Sequence, residues 1–157
     1  MGFRIRETMM GTHEFHNGAG ARGQHPFGFE VTWGPERLRE WLSPTSARFM
    51  WQELEGKVLI GGLTGWVDCR GTLDLQYFSK QRIRYCFDAE VQGTIYRYVG
   101  EKVNIHPLNL PVSHTTCFGH LTELSTGKLI STSVVTFKMR DLWSFVRSVK
   151  AYSGGRG

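Results

Sequence analysis

The chain has 157 residues, 40% hydrophobic and 13% aromatic, with a formal net charge of +5 and a pI near 9.3. That is one domain's worth of chain with enough apolar residues for a core, which excludes a disordered or fibrous protein, and no apolar run reaches the roughly 18 residues of a membrane span. The basic residues are scattered rather than gathered in a stripe, and the one dense group, Lys80, Arg82 and Arg84, falls on a single strand face, so a nucleic-acid partner is not expected.

Phe3 to Thr12 alternates Phe3, Ile5, Glu7 and Met9 against Arg4, Arg6, Thr8 and Met10, the period-two pattern of a strand with one buried face. Its apolar face carries one carboxylate, Glu7. Glu14 to Pro26 is glycine-rich and reads as a mobile surface loop, a flap over an opening or plain disorder. Phe27, Phe29, Val31 and Trp33 mark a second strand. Pro35 then opens a short helix in ERLREWLS, with Leu38, Trp41 and Leu42 on one side, placed to cap one end of a barrel.

Ala47 to Leu63 reads as extended chain with a bend at Gly56 and a break at Gly61-Gly62. Gly65 to Phe78 is a clean alternating strand with Gly71 as a bend or bulge. The most strongly patterned stretch is Gln81 to Glu101, a hairpin turning near Gly93 with Tyr85, Phe87, Tyr96 and Tyr98 among its strand-favouring aromatics. Asn104 to Pro111 is a connection bounded by prolines, and Ser113 to Glu123 is a strand of mixed polarity. Lys128 to Lys138 is the last strand, with Leu129, Val135 and Phe137 on one face and Ile130 and Val134 on the other. Arg140 to Lys150 reads as a C-terminal helix with an apolar stripe of Leu142, Phe145, Val146 and Val149.

The fold expected is therefore mainly β: an eight-stranded, antiparallel, up-and-down barrel of the lipocalin or calycin kind, with a short helix after strand 2 and a helix at the C-terminus. A single β-barrel domain over residues 1–152 is followed by a flexible tail, 153–157. Three cysteines, Cys69, Cys86 and Cys117, lie inside strands without metal-site spacing, which reads as buried inert thiols. MGFRIRET lacks a signal-peptide apolar run, and Arg6 stands where a myristoylation signal needs Ser or Thr, so a cytoplasmic protein is expected.

Three stretches carry a resemblance. FRIRETMMG is similar to the E-T-M-x-G opening, and RIRYCFDAEVQGTIYRYVGEKV to the central hairpin, of a small β domain associated with actinobacterial cholesterol-oxidase-like (GMC-type) flavoproteins and related lipid enzymes. VVTFKMRDLWSFVRSVKAYSG resembles the end of the same domain. The resemblance implies a lipocalin-like barrel near hydrophobic or steroid-like chemistry. It transfers no catalytic residue, and the chain has no oxidoreductase portion, so the flavoenzyme itself is not implied.

Among the residues, Glu7 is the first candidate for chemistry. A carboxylate turned into a barrel must be paired or hydrogen-bonded or have a raised pKa, and a raised pKa suits a general base near neutral pH. Lys102 shares parity with Tyr96 and Tyr98 and is a partner for Glu7, an anion or a carbonyl, although Ile95 and Val99 compete for the inner face. His114 is a polar partner at the pocket mouth. His13 and His16 fall on opposite faces of extended chain, and His114 and His120 lie too far apart to grip one ion, so no metal is expected. Met9, Phe29, Trp33, Trp66, Tyr85, Phe87, Tyr96, Tyr98 and Phe118 are the expected ligand-binding lining, although core packing alone accounts for most such aromatics.

The function expected is binding of a hydrophobic small molecule by a cofactor-free enzyme. A cyclase or isomerase acting on a polyketide-, terpenoid- or steroid-like substrate fits, with Glu7, Lys102 and His114 as catalytic residues. The alternatives are a lipid or steroid carrier, an accessory subunit of a separate oxidoreductase, and a protein–protein module with a filled barrel. A homodimer is an assembly that the sequence leaves open.

Overall fold

The structure, a computed structural model, describes residues 4–35, 38–45, 51–76, 82–102 and 116–137. Eight antiparallel strands form a closed up-and-down barrel in chain order: β1 (Ile5–Phe15), β2 (Gln24–Trp33), β3 (Trp51–Ile60), β4 (Thr64–Gln76), β5 (Arg82–Val91), β6 (Thr94–Lys102), β7 (Thr116–Glu123) and β8 (Leu129–Phe137). The first strand pairs with both β2 and β8, so no edge is left to template aggregation. One short helix, α1 (Leu38–Leu42), interrupts the run between β2 and β3. The described residues contain no helix long and apolar enough to cross a membrane.

Alternation sets the inner face. Ile5, Glu7, Met9 and His13 of β1 are buried, as are Phe27, Phe29, Val31 and Trp33 of β2 and Ile83, Tyr85, Phe87 and Ala89 of β5. The outer face carries ion pairs between register neighbours or near neighbours, among them Arg6–Glu30, Arg97–Asp88 and Arg70–Glu55. Such exposed pairs contribute little, about 0–1 kcal/mol each. Closure needs tight corners, and inward-facing glycines supply them. A Cβ on Gly11, Gly56 or Gly71 would lie within 2.0 Å of a carbonyl oxygen on the neighbouring strand. The β5–β6 turn places Gln92 and Gly93 both at positive φ, 50° and 82°, the backbone of a type I′ hairpin.

Connections divide the barrel into two unlike ends. Residues 61–63, 92–93 and 124–128 make short turns, and 16–23 a longer one, at one end, whereas the two longest connections, 34–50 and 103–115, join strands at the other together with 77–81.

Several expectations change. The loop expected over Glu14 to Pro26 is shortened at both ends: β1 runs on to Phe15, β2 begins at Gln24, and Glu14 pairs with Gln24, which leaves 16–23 as the turn. The remaining turn is tied by His16 N donating to Ile130 O and Ala19 N donating to His16 O. Gly18, Gly20 and Gly23 have G-x-G-x-x-G spacing, but they join antiparallel strands and open no helix, so this is not a nucleotide fingerprint. The turn also sits at the short-turn end, away from the long connections. In β8 the register shifts from Leu121↔Ser131 to Thr122↔Leu129, which leaves Ile130 as an extra residue. That bulge turns Ile130 inward and leaves Leu129 37% exposed, the reverse of strict alternation. In α1, Trp41 is half-buried but Leu42 is exposed, so the expected apolar side is incomplete. The C-terminal helix and the tail lie outside the described residues.

Candidate functional site

A polar cluster sits inside the barrel toward the end with the long connections. Two walls build it. Glu7 on β1 is diagonal to Trp33 on β2, since Ile5 pairs with Trp33 and Glu7 with Val31. On the opposite wall, Tyr85 on β5 is diagonal to Lys102 on β6, since Ile83 pairs with Lys102 and Tyr85 with Gly100. Gly100 offers no side chain opposite Tyr85. The four polar tips meet in the interior, where Lys102 is 0% and Glu7 3% exposed. Lys102 Nζ donates to Glu7 Oε1 at 2.7 Å. The Tyr85 hydroxyl lies 2.9 Å from both carboxylate oxygens, and Trp33 Nε1 donates to Glu7 Oε2 at 3.1 Å. Lys102 Nζ also stands 5.3 Å from the Tyr85 ring centroid, a cation–π distance.

This environment decides the charge state of Glu7. Burial pushes its pKa up, but the Lys102 ammonium and the hydrogen bonds from Lys102, Trp33 and Tyr85 push harder the other way. The net direction is down: of the alternatives open to a carboxylate turned inward, Glu7 is paired and hydrogen-bonded rather than raised in pKa, so it is held as a carboxylate and is not poised as a base near neutral pH. Tyr85 is pushed well above its ordinary value by burial and by the Glu7 charge, so it stays a neutral phenol and a donor.

Beyond the cluster, the barrel is filled by rings. Phe29 packs against Tyr85, Phe87 and Tyr98 at centroid distances of 5.4, 5.3 and 5.5 Å, and Phe87 against Tyr98 at 4.8 Å. Met9 is fully buried among the core residues. The Tyr98 hydroxyl lies 3.5 Å from Cys117 Sγ. Burial pushes the Cys69 and Cys117 thiols up to about 12 and about 11, which keeps both protonated and unreactive.

Of the residues singled out by the sequence, Glu7, Lys102, Trp33 and Tyr85 come together. Met9, Phe29, Phe87 and Tyr98 are core neighbours, and Tyr96 is partly buried against that core. Lys102 faces inward with Tyr98 while Ile95 is 44% exposed, which resolves the parity of β6. Trp66 and Phe118 do not line the interior. Trp66 shares the outward parity of Asp68 and Arg70 and is 46% exposed; Phe118 shares that of His120 and is 55% exposed, while Cys117 and Leu121 point in. His114 lies outside the described residues. Among the described residues, no group of three or more His, Cys, Asp or Glu is arranged to hold a metal ion.

The sequence reading missed two features. His13, at the short-turn end, is buried with Nδ1 2.9 Å from Ser131 Oγ and Nε2 donating to Gly61 O at 2.8 Å. Its parity with Glu7 and Met9 was the available signal. The second is a cavity of about 820 Å³ at the long-connection end. Described residues around it include Pro35, Trp41, Trp51, Gln52 and Leu54. Outward-facing Thr32, Glu53, Glu55, Arg70 and Thr72 line it as well, and none of the four cluster residues does; Leu54, the register partner of Trp33, is the link between the two. The volume falls in the ~300–1,000 Å³ range of small-molecule sites. Comparison with protein-family models, curated proteins and solved structures finds no match to this chain.

Proposed function

We propose that this chain is a small-molecule-binding barrel. Its ligand is largely apolar and enters at the long-connection end, toward the Glu7–Lys102–Tyr85–Trp33 cluster. The observation that carries this reading is the buried ion pair itself. Desolvating a carboxylate and an ammonium costs several kcal/mol per ion, and apolar residues of the same volume often serve stability as well or better. A core alone is served as well by apolar residues, whereas a binding site uses such a pair as a fixed polar floor under an apolar wall. The resemblance to a β domain found beside lipid enzymes supports the same class of ligand. Three free cysteines suit a reducing, cytoplasmic setting.

The test is native mass spectrometry of protein freshly purified from its own host, followed by denaturing extraction. A co-purifying apolar molecule is the expected result, and the same spectrum reads whether two copies associate. A clean apo mass, together with no saturable binding of neutral apolar carbonyl compounds, overturns the proposal.

A second reading is a cofactor-free cyclase or isomerase on a polyketide-, terpenoid- or steroid-like substrate. It is favoured by the buried Lys102 ammonium, a cation able to polarise a carbonyl in a dry site, with the Tyr85 phenol committed to holding Glu7. Under that reading Glu7→Gln, which removes the charge that orients Lys102 and Tyr85, lowers turnover; an unchanged rate removes the catalytic role.

A further inference from the structure

Gln52, at the long-connection end, has an oriented amide. It lies on the inner face of β3 in parity with Leu54 and Val58, and is 4% exposed. Trp41 Nε1 of α1 donates to Gln52 Oε1 at 2.5 Å. An indole N–H is only a donor, so the atom it meets must be the amide oxygen. That settles which end of the amide is the NH2 group. Nε2 is buried and has no hydrogen-bond partner among the described residues. A buried amide donor without an acceptor is costly, and native proteins keep few of them.

Gln52 is among the residues lining the 820 Å³ cavity, as are Trp41, which meets its amide, and Trp51, of opposite parity on β3. The charges around the same cavity are mixed, with Arg4 and Arg70 against Glu40, Glu53 and Glu55, so an anionic ligand is disfavoured. We propose that Gln52 Nε2 is the donor for a carbonyl oxygen on a neutral, largely apolar ligand held beside Trp41. Trp41 is the positioning residue that keeps the amide in its donating orientation. This deepens the small-molecule-binding reading and rests on it.

Two neutral probes separate the two claims: the fluorescent ketone propionyl-dimethylaminonaphthalene and its carbonyl-free counterpart dimethylaminonaphthalene. Both are titrated into the full chain and into Gln52→Met and Trp41→Phe, with folding checked by circular dichroism. The wild type binds the ketone more tightly than the carbonyl-free probe. Gln52→Met removes the donor at similar volume and lowers ketone affinity about fivefold, the scale of one neutral hydrogen bond, with the carbonyl-free probe unchanged. Trp41→Phe frees the amide to turn and lowers the same ketone preference, so the inference stays testable if Gln52→Met fails to fold. Equal binding of both probes by the wild type, or an unchanged ratio in the folded variants, overturns the role of Gln52 while leaving a binding barrel. Binding of neither probe overturns the role of Gln52 and counts against the binding barrel itself.

Discussion

Lys102 Nζ lies 2.7 Å from Glu7 Oε1 across the barrel, on strands that are not neighbours and 95 residues apart in sequence. The pair forms only when the barrel closes, and each ion is the main compensation for burying the other. Lys102→Met therefore leaves a buried carboxylate without its cation and is expected to cost about 3–5 kcal/mol in urea unfolding. Glu7→Met with Lys102→Met is expected to cost less than the sum of the single changes by at least about 1 kcal/mol. Additive losses would mean that the two charges are not coupled.

The acid limb of stability has a defined sign. Glu7 has a folded pKa below its ordinary 4.5, so its contribution is full above that value and is lost as pH falls from 4.5 through the folded pKa. In Lys102→Met burial dominates, the folded pKa moves above the ordinary value, and the variant gains stability as pH falls through that raised value toward 4.5. Unfolding midpoints between pH 8 and about 3 read both slopes. The same slope in the two proteins would show that Lys102 does not set the charge state of Glu7.

His13 gives a second pH dependence at the other end of the barrel. Burial holds its folded pKa below 6.5, and the facing groups are Ser131, the Gly61 carbonyl and the His25 ring, with Phe15 and Phe27 around them. The unfolded chain takes up a proton below pH 6.5 that the folded chain refuses, so stability falls as pH drops from 6.5 toward the folded pKa. His13→Gln is expected to flatten that part of the profile, measured by thermal melting. An unaltered slope would assign the effect to another group.

Gly71→Ala places a methyl 1.9 Å from Cys86 O and 2.5 Å from Phe87 Cα, backbone that cannot step aside cheaply. The expected loss is about 1–3 kcal/mol, the scale of overpacking. Gly65→Ala meets nothing within 4 Å and is expected to stay within about 0.5 kcal/mol of wild type. Equal effects at the two sites would remove Gly71 as a closing corner.

Strand number, antiparallel order and the buried face of β1, β2 and β5 were legible because side chains alternate with a strict period of two. Glu7 stood out for the same reason, as the one charge in an apolar column. Trp66 and Phe118 were misplaced because aromatic character outweighed parity: each stands on the outward face of its own strand. Leu129 and Ile130 could not be sorted, since the bulge that exchanges them depends on the register against β7. Gln52 gave no signal of its own; its meaning comes from the Trp41 indole that fixes its amide.

By itself the sequence determined the eight strands and which residues of most strands face in, because alternation is a local property of extended chain. Only the tertiary structure decided what those inward residues meet. Closure brought Glu7 and Trp33 on one wall to Tyr85 and Lys102 on the other, and that encounter, rather than the identity of Glu7, lowered its pKa. A pKa is set by distances to charges and donors across space, and no periodicity along a chain encodes those distances.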